Sequence, residues 1–334
     1  RNRRDQRAMI PIYTAEDIHP HMSVADLIPS AKQAFRALSE GTATAPVQVL
    51  YPSPGADIHV KSATLAGCPI FTVKMAGWSQ DLANIGAPPS SGMIAVFDSQ
   101  TCRPVAILQD DHLISDYRTA AAGAVVADLL VADRAQHAVV IGTSTQARLQ
   151  VEALLLVRPV TSVQVWGRVR AKAQALVDKL QAQFAGVQFE VADDLEQAVR
   201  SSDVILTATG AKQPLIHADW LSPGQHITSV GSDDETKCEI DPVALSQAQV
   251  FVDAHASGLA FGAPHLAIRS GLMAATDLTE VGAALKAGTC KNPERTSIAC
   301  LSGLGVQDLT AVNAIWPKLL HKARLPPQGA PISP

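Results

Sequence analysis

Apolar positions near the start of the chain recur at helical spacing and then switch to alternation. After Ser23, with Asp26 three residues on as in a capping box, Leu27, Ile28, Ala31, Ala34, Phe35 and Leu38 fall three and four apart. This spacing predicts a helix whose start the serine sets. Pro29 sits early in it and is expected to kink or delay it. Beyond Gly41 the rhythm shortens to the runs VQVLYP, DIHVKSATL, PIFTVKMAGW, MIAVFD and PVAIL, separated by turn clusters such as PSPGA and DSQTCRP. Strands in succession joined by short turns predict an antiparallel or mixed sheet. A long helix over roughly 112–130 closes this half.

From His137 the pattern alternates between strand and helix. HAVVI, SVQVW, VQFEV and DVILTAT read as strands, and TQARLQVEALLLV, RVRAKAQALVDKLQAQF and DDLEQAVRSS as the helices between them. Apolar strands alternating with amphipathic helices predict an α/β fold with a doubly wound parallel sheet. HITSVGS and QVFVDA add two strands, and DLTAVNAIWPKLLHKARL predicts a helix that returns to the first half before a Pro-rich tail.

Composition narrows the class. A chain of 334 residues, 47% hydrophobic and 17% charged, is long enough for two packed domains and is neither disordered nor fibrous. Its net charge of -4 and lack of a long Lys/Arg run give no footprint for nucleic acid. Five cysteines, odd in number and never in a CxxC pair, argue against a disulfide framework and for a reducing, cytoplasmic setting. No apolar run approaches the roughly 20 residues that span a bilayer, so no membrane partner is expected. Met9 reads as the natural start, and RNRRDQRAMIPIY as a poor secretory signal.

The stretch VVIGTSTQARLQ, residues 139–150, lies between a strand and a helix and nearly spells a dinucleotide-binding turn. Gly142 suits the tight turn and Ala147 the close helix–strand packing, but Ser144 stands where a second glycine lets the backbone approach a pyrophosphate. A serine narrows that approach, yet its hydroxyl can donate to phosphate. Thr143, Thr145 and Gln146 complete the loop and the first helical turn, whose free N–H groups attract an anion. The next strand ends in Trp166-Gly167-Arg168-Val169-Arg170, where an NAD site usually carries an acid for the ribose 2′-hydroxyl. Arg168 and Arg170 suit a 2′-phosphate, which points to NADP(H) as the preferred cofactor with NAD(H) possible; the other reading is a solvated helix face. His59, His112, His226 and His265 show no ligand spacing, and no metal site is expected. No GxSxG is present, and the tryptophans read as packing residues.

Several segments together resemble the ornithine cyclodeaminase/mu-crystallin family: FTVKMA with Lys74, LISDYRTAAAGAVVA with Arg118, VVIGTSTQARLQ, DVILTATGAKQPLI, ITSVGSDDETKCEIDP with Asp233, and LSGLGVQD. They run in family order over roughly residues 60–310. The resemblance implies a homodimer with a Rossmann-type NAD(P)-binding domain at 131–309. A mixed α+β substrate and dimerisation domain would be built from 9–130 and 310–334. It also implies hydride transfer between nicotinamide and the α-carbon of a small amino or imino acid, as in imine reductases and amino-acid dehydrogenases. Two alternatives stay open: an amino-acid cyclodeaminase that releases ammonia with bound NAD, and a non-catalytic, crystallin-like binding protein.

By that resemblance Arg118 and Lys74 are catalytic with Asp233 and bind the substrate carboxylate or its polarised nitrogen region, a role suited to a guanidinium fork and an ammonium. Asp233 matches the acid/base, a task that calls for a carboxyl pKa raised by partial burial. Asp234 and Glu235 follow directly and leave the segment clearer than the residue. Thr207, Thr209, Gly231 and Ser232 are expected along the cofactor. The chain departs from the family where Gln48 replaces an arginine and Lys61 a methionine. Together these two are expected to return one positive charge to the substrate site, which puts ornithine in doubt because an ammonium repels its side-chain amine.

Overall fold

The structure is a computed structural model that describes residues 10–288 and 290–323. Met9 and the Pro-rich tail lie outside the described residues. The helix expected after Ser23 spans Val24–Ser39, and Ser23 Oγ accepts the Asp26 N–H at 3.0 Å. Pro29 does not delay it, because the cap and the buried face of Leu27, Ala31, Ala34 and Phe35 hold its start at Val24.

Seven strands form a mixed sheet: β1 (Ile12–Thr14), β2 (Ala43–Thr44), β3 (Val47–Ser53), β4 (Ala56–Leu65), β5 (Ile70–Ser79), β6 (Ser90–Asp98) and β7 (Pro104–Gln109). The order is β1-β7-β6-β5-β4-β2, with β3 also on β4; β1 and β7 are parallel and the other pairs antiparallel. The register sets Lys61 opposite Lys74, His59 opposite Ala76 and Asp57 opposite Trp78. A strand's period of two therefore puts Asp57, His59, Lys61 and Lys74 on one face.

The remaining strands are β8 (His137–Ile141), β9 (Ser162–Trp166), β10 (Gln188–Val191), β11 (Val204–Thr207), β12 (His226–Ser229), β13 (Gln249–Val252), β14 (Leu278–Glu280) and β15 (Ser297–Cys300). They form a sheet ordered β10-β9-β8-β11-β12-β15-β13-β14, every pair parallel. Helices Thr145–Val157, Arg170–Gln183 and Leu195–Ser201 make the crossovers, so the doubly wound fold read from the sequence is present. Strand order reverses between β8 and β11, the place where such sheets open a crevice for ligands.

Helix Leu113–Leu130, mostly buried, lies against the Thr145–Val157 helix so closely that a Cβ at Gly123 would collide with the Gln150 side chain. Helix Gly305–Ala323 returns to the first sheet, where Leu309, Val312, Ile315 and Leu319 share a core with Tyr13, Ile94 and Val96. Among the described residues no helix is long and apolar enough to cross a membrane.

Candidate functional site

The inner face of β4 and β5, helix Leu113–Leu130 and the loops after β12 and β15 line a cleft of about 880 Å³, part of it open to solvent. Lys61, Lys74, Arg118, Gln146 and Asp233 all line it. One end is cationic. Lys74 Nζ lies 2.7 Å from Asp308 Oδ2 and donates to Ser115 Oγ at 2.8 Å. Arg118 donates from Nε to Asp308 Oδ1 at 2.9 Å, from Nη1 to Gln307 Oε1 at 2.9 Å and from Nη2 to Ser115 Oγ at 3.2 Å. A guanidinium has five N–H groups, so two remain for a ligand. Lys61 Nζ donates to the carbonyls of Ser302 and Gly303 at 3.2 and 2.9 Å.

Burial and charge act on these groups together. Asp308 is fully buried; desolvation opposes its charge, but Arg118 and Lys74 outweigh it and hold the carboxyl down at about 2. Desolvation pushes Lys74 down to about 7 despite Asp308, and it lowers Lys61 as well, with Arg118 adding repulsion. An anion in the cleft therefore relieves two crowded ammoniums. The loop carrying the carbonyls is itself tied down: Asp253 Oδ2 accepts the N–H groups of Ser302 and Gly303 at 2.9 and 2.7 Å. Gly303 takes φ +79, and a side chain there would strike the Arg118 guanidinium.

Asp233 faces the cleft from the loop after β12, half-buried, with Lys237 Nζ 2.5 Å from its Oδ1. Burial raises its pKa, but Lys237, His59 and Lys61 outweigh burial and hold it below the usual carboxylate value. The raised pKa expected of this residue is thus overturned, and the cause is an ion pair with the lysine four residues along the loop. Asp234 Oδ1 accepts from Thr236 N and Lys237 N at 2.6 and 3.0 Å, and its Oδ2 lies 3.4 Å from the same Lys237 Nζ.

At the switch point Gly142 has φ +129, and a Cβ there would fall 2.5 Å from the Ala208 carbonyl oxygen. Only glycine fits. Ser144 is the N-cap of the Thr145–Val157 helix, its Oγ accepting the Ala147 N–H at 3.4 Å. Its oxygen is therefore engaged within the protein while its O–H hydrogen stays free to donate, and the helix start still offers backbone N–H groups to an anion. Thr143 packs against Gly167, where a Cβ would fall 2.6 Å from Thr143 Cγ2. Arg168 is exposed beyond β9, and Arg170 is ion-paired with Asp193. A glycine turn that a side chain would fill, at a helix N-terminus on the switch point, fits a dinucleotide.

Thr207, Thr209 and Gly231 share one partner that sequence reasoning did not single out. The buried Glu239 accepts from Thr207 Oγ1 at 2.7 Å, Thr209 N at 2.7 Å, Thr209 Oγ1 at 2.8 Å, Ser229 Oγ at 2.7 Å and Gly231 N at 2.9 Å. It ties together the ends of β11 and β12, so these residues shape the crevice through Glu239 rather than by presenting free hydroxyls. Ser232 is partly buried beside Gly262.

Lys61, Lys74, Arg118, Gln146 and Asp233 are brought to one cleft; Gln48 is not. It pairs with Val60 on the face of the sheet opposite Lys61 and is exposed, because its strand neighbours Val47 and Val49 take the positions facing Lys61 and His59. Residues passed over in the sequence include Gln307 and Asp308, both inside the LSGLGVQD segment, and His59 and His112, which line the cleft. His59 is buried and desolvation holds it down at about 4, so it is neutral near pH 7.

A doubly wound sheet with a glycine turn at its switch point, beside a cleft with a cationic end, defines an α/β protein of the dinucleotide-binding type. The chain belongs to the ornithine cyclodeaminase/mu-crystallin family, whose model matches residues 9–323. A protein named uncharacterized cyclodeaminase from Sinorhizobium fredii is 38% identical over 291 residues, 85% of this chain and 87% of that protein. A Delta(1)-pyrroline-2-carboxylate reductase from Colwellia psychrerythraea is 31% identical over 247 residues, 72% of this chain and 77% of the relative. Among solved structures, the Delta(1)-pyrroline-2-carboxylate reductase of Thermococcus litoralis, in complex with NADH and L-proline, matches with a TM-score of 0.88 at 21% identity. It covers 94% of this chain and 98% of that one, a likeness of fold.

Proposed function

We propose that this chain is an NAD(P)-dependent oxidoreductase that interconverts a small α-imino acid and the matching α-amino acid. The reaction balances as amino acid plus NAD(P)+ giving imino acid, NAD(P)H and a proton. The nicotinamide, when bound, supplies or accepts the hydride at the α-carbon. The observation that carries this reading is the meeting in one cleft of Lys61, Lys74 and Arg118 with Gln146, which stands on the helix leaving the Gly142 turn. Arg118 and Lys74 clasp the substrate carboxylate while Asp308 holds both cations in place. Asp233, kept ionised by Lys237, accepts an N–H from the substrate nitrogen and balances the charge of an iminium. Exposed Arg168 favours NADP(H) through the 2′-phosphate.

Consumption of NADPH and NADH is the direct test, screened against cyclic imino acids and against 2-oxo acids with ammonia or amines. Absence of turnover with all of them, in protein whose melting temperature the cofactor raises, would sink the reading. The cyclodeaminase alternative is favoured by the name of the 38%-identical relative. It predicts ammonia release without net cofactor reduction. Lys61 weighs against a diamine such as ornithine, whose second ammonium it would repel. The same proposal takes 9–130 with 310–334 as a substrate and dimerisation unit around 131–309, and the assembly as a homodimer. Exposed Leu50, Tyr51 and Met93 on the first sheet support it, and sedimentation checks it.

A further inference from the structure

The oxidation proposed above releases one proton per turnover, and Asp233 is poorly suited to take it because Lys237 already holds it as an ion pair at 2.5 Å. A second group in the cleft is better placed. His112 lines the cleft together with Ser115, Arg118 and Gln146. Its backbone takes φ +73 and that of Asp111 φ +46, two consecutive non-glycine residues in the left-handed region. Such strain persists where the surroundings enforce it and gathers at functional sites.

The strain does not serve helix capping. His112 is the N-cap of helix Leu113–Leu130, yet its side chain makes no capping bond; Asp110 Oδ2 accepts the Ile114 N–H at 2.8 Å instead. The imidazole turns to Asp116, with Nδ1 3.1 Å from Oδ1. A carboxylate only accepts, so Nδ1 carries the hydrogen and Nε2 keeps its lone pair. Asp116 is braced in turn from the nucleotide-loop helix, where Gln146 Nε2 donates to its Oδ1 at 3.1 Å and to its carbonyl at 3.0 Å. The imidazole is partly exposed, 28% by side chain, which leaves a route to water.

We propose that His112 is the catalytic base of the oxidative direction and the acid of the reverse, oriented by Asp116 and Gln146. The inference rests on the amino-acid oxidoreductase reading. The substrate ammonium gives one proton to His112 Nε2; the nitrogen lone pair then forms the C=N bond as the α-hydrogen leaves as hydride to NAD(P)+. The imidazolium, paired with Asp116, passes its proton to water.

The test is His112→Gly, because glycine accepts φ +73 without strain and leaves room for free imidazole. Oxidation of whichever amino acid the wild type turns over is followed at neutral pH. The expected result is a fall in kcat of about 100- to 10,000-fold with cofactor affinity and KM little changed, partly restored by added imidazole. Asp116→Asn should lower kcat without imidazole rescue. Two outcomes overturn the proposal: kcat retained in His112→Gly, or kcat, KM and cofactor affinity all lost together without imidazole rescue. If the wild type oxidises no amino acid and reduces no imino acid, the oxidoreductase reading fails and the proposal falls with it; an active wild type with an active variant removes the proposal alone.

Discussion

Lys74 Nζ and Asp308 Oδ2 lie 2.7 Å apart with side-chain exposures of 4% and 0%, and Arg118 holds the other carboxylate oxygen at 2.9 Å. One buried anion thus keeps two cations in reach of the cleft. Asp308→Asn leaves both uncompensated, and loss of one partner from a buried pair costs about 3–5 kcal/mol. Urea unfolding of the variant should show a loss of that size, and the substrate KM should rise.

The same carboxylate sets an acid limit. Its folded pKa, about 2, lies below the unfolded value near ~4, so the folded state binds fewer protons in that interval. Its stabilisation is fully present above the unfolded value and is lost as pH falls from there through about 2. Thermal melts across that interval should show a steep decline that Asp308→Asn flattens.

Ser144 Oγ accepts the Ala147 N–H as the helix cap, a role that leaves its O–H hydrogen free. Ser144→Ala should then destabilise by about 1 kcal/mol, the usual worth of an N-cap, while Ser144→Gly costs only a few tenths. Cofactor affinity should be unchanged or tighter in Ser144→Gly. A large loss of affinity there would show the hydroxyl to be a phosphate ligand.

Local pattern made much of the fold legible, because burial repeats with the period of each element. Ser23 and Leu27 through Phe35 announce their helix, and the alternation of DIHVKSATL announces β4. It failed where elements are too short to show a period, as in β1 and β14 at three residues each. The site was half legible. Lys74, Arg118 and Asp233 stand out by motif, whereas Asp308 and Glu239 look like ordinary acids until partners 190 and 32 residues away bury them. Gln48 shows the opposite limit: strand register, not proximity in sequence, decides which face a side chain takes.

Glu239 is the clearest such case, since five donors from β11, β12 and the loops after them converge on its two oxygens. Each buried donor left without an acceptor costs about 1–3 kcal/mol, and relaxation makes the sum smaller than five separate losses. Glu239→Ala should destabilise by more than Glu239→Gln, which keeps one acceptor. Both should weaken cofactor binding, seen as a smaller rise in melting temperature on adding NADPH.

The proposed preference for NADP(H) rests on Arg168. It is exposed beyond the end of β9, whereas its neighbour Arg170 is engaged with Asp193, so Arg168 is the guanidinium available to a 2′-phosphate. A charge-assisted bond of this kind is worth about 1.5–3 kcal/mol, or about 10- to 100-fold in affinity. Arg168→Ala should weaken NADPH by that factor and leave NADH almost untouched, because NADH carries an uncharged hydroxyl there in place of the phosphate. Titration of both cofactors against both proteins separates the outcomes. A wild type that binds NADH as tightly as NADPH, with a variant unchanged toward either, would place Arg168 on a solvated surface and assign the chain to NAD.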